Sequence, residues 1–297
     1  MLAPIPDDSL DKSGSHDRAA RYTAARISLE RTGVSITTRH ALEFSVAHAQ
    51  ARDAVHASLG VTSLLAALRA RGLAAVAVRS AASNRAEYLR RPDLGRTLAP
   101  ACKRLLAANR DLPLTLASVP SMPSHPMGES SIGQANDRRS RAQPATTLTL
   151  ILADGLSALG TERHALAVLD ALLPLFGIAG LGAPDPFKPW QFTPIVIAEQ
   201  ARVALGDEIG AALRADACIM LIGERPGLSS PDSLGAYLTW APRPGRTDAE
   251  RNCVSNIRTE GLDYATAAAK IAWYIKQGRC LGLTGVTLRE SDAALLP

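Results

Sequence analysis

The sequence predicts an α/β fold, with a Rossmann-like parallel sheet flanked by helices in the C-terminal part and a mainly helical N-terminal region before it. Three observations carry that expectation. From residue 147 onward, short apolar runs of strand length alternate with stretches of helical period. Before residue 117 the apolar residues recur mostly at helical spacing. Between the two lies 118–146, rich in Ser, Pro, Gly, Asn and Arg and poor in large apolar groups. A chain of 297 residues with 46% hydrophobic content is long enough for one large domain or two modest ones with a substantial core.

The polar opening, "MLAPIPDDSLDKSGSHDR", has neither a basic n-region nor an apolar h-region, and residues 1–20 read as a flexible leader. Residues 21–117 form the mainly helical region. Thr37 or Thr38 can cap a helix running to about His56, with Ala41, Phe44, His48, Ala51 and Val55 as a core-facing stripe. His48 in that stripe reads as a hydrogen-bonded core histidine, because spacing supplies no second metal ligand. A second helix covers Val61 to Arg71 and is stopped by Gly72. The run "LAAVAVRS" is strand-like. Residues 84–98, "NRAEYLRRPDLGRTL", gather Arg85, Arg90, Arg91 and Arg96 around a Pro-Asp turn. They suit a solvated loop or an interface rich in carboxylates or phosphates, and the residues alone leave both open. The 118–146 segment cannot bury enough surface to offset its ordering entropy, so it is expected to be a flexible surface insertion.

Residues 147–297 carry the α/β pattern. "TLTLILADG" is a strand, Thr161-Glu162 opens a helix through "HALAVLDALLPLF", and "TPIVIAE" is a second strand. A short helix around Asp207 to Arg214 and a third strand, "ACIMLIG", follow. Strands and helices alternating at these lengths imply parallel β-α-β units with right-handed crossovers. Parallel strands put their trailing loops on one rim, where open α/β sheets bind ligands. That rim holds "ADGLS" (153–157), "EQARV" (199–203) and "GERPG" (223–227), so Asp154, Val203, Glu224 and Arg225 share it. Arg225 precedes a proline and is pushed to an extended conformation, and Pro226-Gly227 suits a tight turn. A rigid polar rim suits a preformed site. Pattern alone also allows Glu224 to pair with Arg225 or to cap a neighbouring helix.

Several function classes are excluded. The net charge of +5 comes from arginines dispersed among Ala and Leu, and only 4% of the chain is aromatic, so nucleic-acid binding is not expected. No run of about 18 apolar residues marks a membrane span. Cys102, Cys218, Cys253 and Cys280 lie far apart without C-x-x-C spacing, arguing for reduced thiols in a cytoplasmic protein rather than a zinc site or a disulfide framework. There is no G-x-G-x-x-G after the first C-terminal strand, no G-x-x-x-x-G-K-[ST], no G-x-S-x-G and no H-E-x-x-H. Ser157 has no His and acid at useful positions. The residues yield no independent catalytic centre.

Five stretches, in order and over most of the chain, carry a resemblance: "RISLERTGVSITTRHALEFSVAHAQARDAVH" (26–56), "YLRRPDLGR" (88–96), "ADGLS" (153–157), "LIGERPGLSSPDSLGAYL" (221–238) and "RNCVSNIRTEGLDYATAAAKI" (251–271). The chain resembles the small subunit of ethanolamine ammonia-lyase. The resemblance implies an adenosylcobalamin-dependent enzyme that converts ethanolamine to acetaldehyde and ammonia by radical chemistry. It further implies a hetero-oligomer in which a large catalytic subunit holds the substrate, while this chain helps enclose the cobalamin and contributes no catalytic residue. The setting it implies is the cytoplasm, inside or outside a bacterial microcompartment. Carried over by motif, the cofactor contacts fall on Val203, Glu224 and Cys253, within an α/β cobalamin-contacting domain at 147–297. Corrin side chains end in amides, so Glu224 can accept their N–H bonds, and Val203 can offer backbone groups and apolar contact. Cys253 can be a weak donor or simple packing. None of the six histidines has an Asp two residues before it, so no D-x-H-x-x-G loop exists and cobalt ligation by this chain is not expected. The alternative is a stand-alone α/β small-molecule binding protein or enzyme using the same rim.

Overall fold

The computed structural model describes residues 31–32, 34–115, 145–177 and 190–290. The expected leader at 1–20 and all of the 118–146 insertion except its last two residues lie outside them. Thr146, at the end of that segment, already belongs to a strand.

Two short antiparallel strands, β1 (Arg31–Thr32) and β2 (Ser35–Ile36), precede α1 (Thr38–His56). Thr37 caps α1, its side chain accepting from the His40 N–H. The expected core-facing stripe is not the buried face: Ala47 and Ala54 are buried, while Phe44 is 47% exposed. His48 is exposed too, its ring stacked on Phe44 at 6.1 Å, and is therefore not a core histidine. In an alanine-rich helix several faces look apolar, and here small residues make the close approach while the larger ones stay outside.

Helix α2 (Val61–Ala70) buries Leu64 and Leu68 and ends before Gly72, whose φ of +70° is the left-handed conformation that glycine adopts without a Cβ penalty. Strand β3 (Ala75–Arg79) leads to α3 (Arg85–Arg90), capped by Asn84, and then to α4 (Pro100–Asn109), which has proline in its first turn. Next come β4 (Thr146–Ala153) and α5 (Ala158–Leu172). Helix α5 opens three residues earlier than the expected Thr161, because Ser157 caps it by accepting from the Gly160 N–H. Thr161 lies inside the helix, and its hydroxyl donates to the Ala153 carbonyl at 2.6 Å. The chain continues through β5 (Trp190–Phe192), β6 (Ile195–Glu199), α6 (Leu205–Ala212), β7 (Ala217–Gly223), β8 (Leu234–Trp240), β9 (Arg251–Ile257) and α7 (Tyr264–Leu281).

One sheet has the order β3-β6-β4-β7-β8-β9, with β5 pairing beside the start of β4. Strands β3, β6, β4 and β7 are mutually parallel, as the alternating pattern implies. Strands β8 and β9 extend the sheet antiparallel, a continuation the β-α-β reading did not include. All seven residues of β7 are buried, which accounts for its unbroken apolar run. One face packs on α2, α5 and α7 through Leu68, Leu169 and Ile271; the other packs on α4 and α6 through Leu106 and Ile209. Each fully buried side chain of this kind contributes roughly 1.5–3 kcal/mol.

From β4 the chain passes through α5 to β6 on one side of β4, then through α6 on the other face to β7 on its opposite side. The loops after β4 and β6 therefore diverge and leave a crevice at the carboxyl ends of the strands. No helix among the described residues is long and apolar enough to cross a membrane.

Candidate functional site

The crevice has a volume of about 470 Å³ and is walled by the three trailing loops that the strand pattern picks out. Two glycines let those loops meet. Gly155 has a φ of +53°, and a Cβ there would fall on the Gly223 carbonyl. A Cβ on Gly223 would in turn fall on the Ser157 carbonyl. The approach is sealed by the Leu156 N–H donating to the Gly223 oxygen at 3.0 Å.

Asp154 ties the β4 loop to the β6 loop. Its buried carboxylate accepts from the Gln200 N–H at 2.7 Å, the Ala201 N–H at 2.9 Å and Arg85 Nη1 at 3.1 Å. The first bond holds Gln200 at a φ of +55°, uncommon for a residue with a side chain. Burial pushes the Asp154 carboxyl up to about 6, against the opposing pull of Arg85 and the main-chain N–H groups. Arg85 also donates to the carbonyls of Val55 and Gly155. One arginine of the 84–98 cluster thus turns inward to a carboxylate, while Arg91 pairs at the surface with Asp93.

Tyr88 completes the tie. It is fully buried, with its hydroxyl 2.8 Å from the Gly155 carbonyl and 3.0 Å from that of Ala201. Its ring lies between two guanidiniums, Arg85 at 4.8 Å and Arg202 at 4.4 Å. Tyr88 and Arg202 both line the crevice, and neither was singled out from the sequence. The available signal was weak: Tyr88 stands in "YLRRPDLGR" and Arg202 sits beside Val203 in "EQARV", but only the fold brings the two segments together.

Val203 and Glu224 also line the crevice, with Ile222 between their loops as an apolar floor. Glu224 is half-buried. Its N–H donates to the Ser233 carbonyl at 2.9 Å, and its carboxylate accepts from the Asn256 N–H at 3.2 Å. The side chain lies against Gly235, where a Cβ would come within 2.9 Å of Oε1. Glu224 is thus fixed by the end of β9 rather than by Arg225, which is exposed on the same rim.

Cys253 sits apart from the other two. It is exposed on β9, directly across from Tyr237 on β8, and opens onto a neighbouring depression lined also by Tyr274 and Arg289. Tyr237 lines the crevice and is the cross-strand partner of Cys253, so a single side chain separates the thiol from the crevice. Crowding by the surrounding strands, together with the Glu224 charge and against the opposing effect of the neighbouring Tyr237 hydroxyl, lifts the Cys253 thiol to about 11. It is a neutral thiol at neutral pH. Tyr237 is raised to about 12, chiefly by burial, and stays protonated.

Among the described residues, no set for nucleophilic catalysis forms around this rim. The Ser157 hydroxyl serves as the α5 cap and donates to the Pro231 carbonyl at 2.9 Å. His164 lies deeper, hydrogen-bonded to the Tyr264 hydroxyl at 2.9 Å, and burial lowers its pKa. Among the described residues, no group of three His, Cys, Asp or Glu could hold a metal ion. The geometry instead provides a preformed crevice with an acidic acceptor, an apolar floor and a guanidinium.

Comparison with known proteins identifies the family of the chain. The family model described as "Ethanolamine ammonia-lyase light chain (EutC)" matches residues 14–120 and 128–289. Proteins named ethanolamine ammonia-lyase small subunit are similar along nearly the whole chain. That of Bradyrhizobium diazoefficiens is 46% identical over 276 residues, 93% of this chain and 90% of its own length. That of Azotobacter vinelandii is 44% identical over 277 residues, 93% and 88% of the two chains. That of Xanthomonas campestris pv. campestris strain B100 is 44% identical over 280 residues, 94% and 89%. With the family model spanning most of the sequence and relatives this similar over more than nine-tenths of it, the chain belongs to the ethanolamine ammonia-lyase light chain family.

Proposed function

We propose that this chain is the non-catalytic, cofactor-enclosing subunit of an adenosylcobalamin-dependent ethanolamine ammonia-lyase, closing its crevice over the corrin against a large catalytic subunit. The observation that carries the reading is the convergence on one rim of the Glu224 carboxylate, the apolar surface of Val203 and Ile222, and Arg202. A carboxylate and a guanidinium on one rim with an apolar floor suit a ligand that carries both donors and acceptors, and cobalamin carries both.

Bound adenosylcobalamin supplies the radical chemistry, through homolysis of its cobalt–carbon bond. The chain's own residues bind and orient. Glu224 accepts amide N–H bonds from the corrin edge, its position fixed by the Asn256 N–H. Val203 and Ile222 exclude water from the macrocycle face. Asp154 and Tyr88 hold the loops that carry them. A volume of about 470 Å³ lies in the range that drug-sized ligands fill, so the crevice covers only one edge of so large a cofactor. The uncovered remainder is the place for the large subunit, which supplies the substrate site and the catalytic residues.

The test is to express the chain alone and together with a large subunit. The expected result is no deamination by the chain alone and cobalamin-dependent acetaldehyde release by the pair. Turnover by the isolated chain would overturn the reading in favour of a stand-alone enzyme. Within the pair, Glu224→Ala is expected to weaken adenosylcobalamin about tenfold in a spectroscopic titration, the scale of one charge-assisted hydrogen bond, with the isolated chain still folded. Unchanged affinity would remove Glu224 from the contact set.

A further inference from the structure

We infer that Arg202 is the anion-binding residue of the crevice and takes the phosphodiester of the cobalamin nucleotide tail, an inference that rests on the reading above. Three features of the rim point to an anion. The carboxylates nearby are already engaged, Asp154 by Arg85 and two main-chain N–H groups and Glu224 by the Asn256 N–H. Arg202 lines the crevice, and no carboxylate among the described residues forms an ion pair with it. Arg225 adds a second guanidinium to the same lining, so Glu224, Arg202 and Arg225 together leave the rim one positive charge in excess.

Arg202 is also held ready. Its N–H donates to the Gly95 carbonyl at 2.8 Å, and its guanidinium lies 4.4 Å over the Tyr88 ring. Its stem occupies space that exists only because residue 95 has no side chain: a Cβ there would come within 2.9 Å of Arg202 Cγ and 2.8 Å of Tyr88 Cε2. This accounts for the glycine of "YLRRPDLGR". A guanidinium fixed in this way loses little freedom on binding, and its forked N–H donors match two oxygens of a phosphate better than a single neutral carbonyl. The corrin periphery carries neutral amides, whereas the nucleotide tail carries the cofactor's phosphodiester. The charge excess therefore selects the tail.

The experiment titrates the complex of this chain and a large subunit with two probes, adenosylcobalamin and adenosylcobinamide, following the corrin absorbance. Adenosylcobinamide keeps the corrin and its amides but lacks the phosphodiester and the base. Arg202→Met is expected to weaken adenosylcobalamin by about ten- to a hundredfold, the range for loss of a charge-assisted fork, and to leave adenosylcobinamide within twofold. Arg202→Lys, which keeps charge but not the fork, is expected to fall between parent and Met, and it carries the same comparison if the Met variant does not assemble. Equal losses for both probes would place Arg202 against the corrin amides and overturn the phosphodiester assignment. Unchanged affinity for both would overturn any contact. A parent complex that binds neither probe would instead refute the proposed function.

Discussion

Among the described residues two buried aspartate–arginine pairs stand out, one at the crevice and one behind helix α6, and they use the same chemistry for different ends. At the crevice Asp154 meets Arg85 and also two main-chain N–H groups of the β6 loop. Behind α6, Asp207 meets Arg251, which turns its other contacts to Asp248 and to the Arg246 carbonyl, joining α6 to the start of β9. Burial raises both aspartates to about 6, with the arginine pulling each back. The difference lies in what else the carboxylate holds. Asp207 fastens one element to another, whereas Asp154 sets the backbone of Gln200 and Ala201, and through them the positions of Arg202 and Val203. A buried ion pair is thus no sign of function in itself; its main-chain partners decide.

Removing each arginine tests that distinction most strongly. Arg251→Met and Arg85→Met each leave a buried carboxyl without its counter-ion, and each is expected to cost about 3–5 kcal/mol in urea unfolding. Their effects on cofactor affinity should part. Per folded molecule, Arg251→Met is expected to leave adenosylcobalamin binding unchanged and Arg85→Met to weaken it. Equal loss of affinity in the two variants would erase the contrast.

The pH dependence of those deficits is a smaller effect and separates the pairs further. Asp154 and Asp207 are held near 6 in the folded chain, against about 3.9 when unfolded. The folded state therefore grips these protons more tightly. The stability each contributes is full below the unfolded value and is lost as pH rises through about 6. Removing the arginine takes away a pull that lowers the folded value, so the deficit of each variant should grow between pH 5 and pH 8, by about 1.4 kcal/mol for each further unit of upward shift. The growth should be shallower for Arg85→Met, because two main-chain N–H groups still favour the charged form of Asp154. Unfolding midpoints for the two variants across that range decide it, and a flat deficit would mean that the arginines act by packing rather than by charge.

Much of the crevice was legible in the sequence because it follows from strand direction. Once 147–155, 193–199 and 217–223 are read as parallel strands, Asp154, Val203 and Glu224 must share an edge, and β4, β6 and β7 place them there. What pattern could not supply was pairing across distance. Arg85 lies 69 residues from Asp154 and Tyr88 lies 113 from Ala201, separations at which no local period carries information. The α1 stripe failed for a different reason. Alanines such as Ala47 and Ala54 make the burial, and a small residue gives too little contrast to mark a face. Cys253 comes as a cofactor contact from motif alone, since strand direction does not reach it; β-pairing sets it across from Tyr237, one side chain away from the crevice.

The smallest predicted effect concerns one hydroxyl, and it sharpens the comparison by coupling rather than by size. Tyr88→Phe keeps the ring between Arg85 and Arg202 but leaves the carbonyls of Gly155 and Ala201 without the O–H donor. Loss of one buried hydrogen bond is expected to cost about 1 kcal/mol. Tyr88 and Arg85 are in contact and share the Gly155 carbonyl, so their combined variant should depart from additivity by roughly 0.5 kcal/mol or more. Tyr88 shares no partner with Arg251, so that combination should add to within about 0.5 kcal/mol. Two additive cycles would show that the crevice tie is a set of independent contacts. Coupling confined to the Arg85 cycle would show that the loops are held as one unit, as a preformed edge for a cofactor requires.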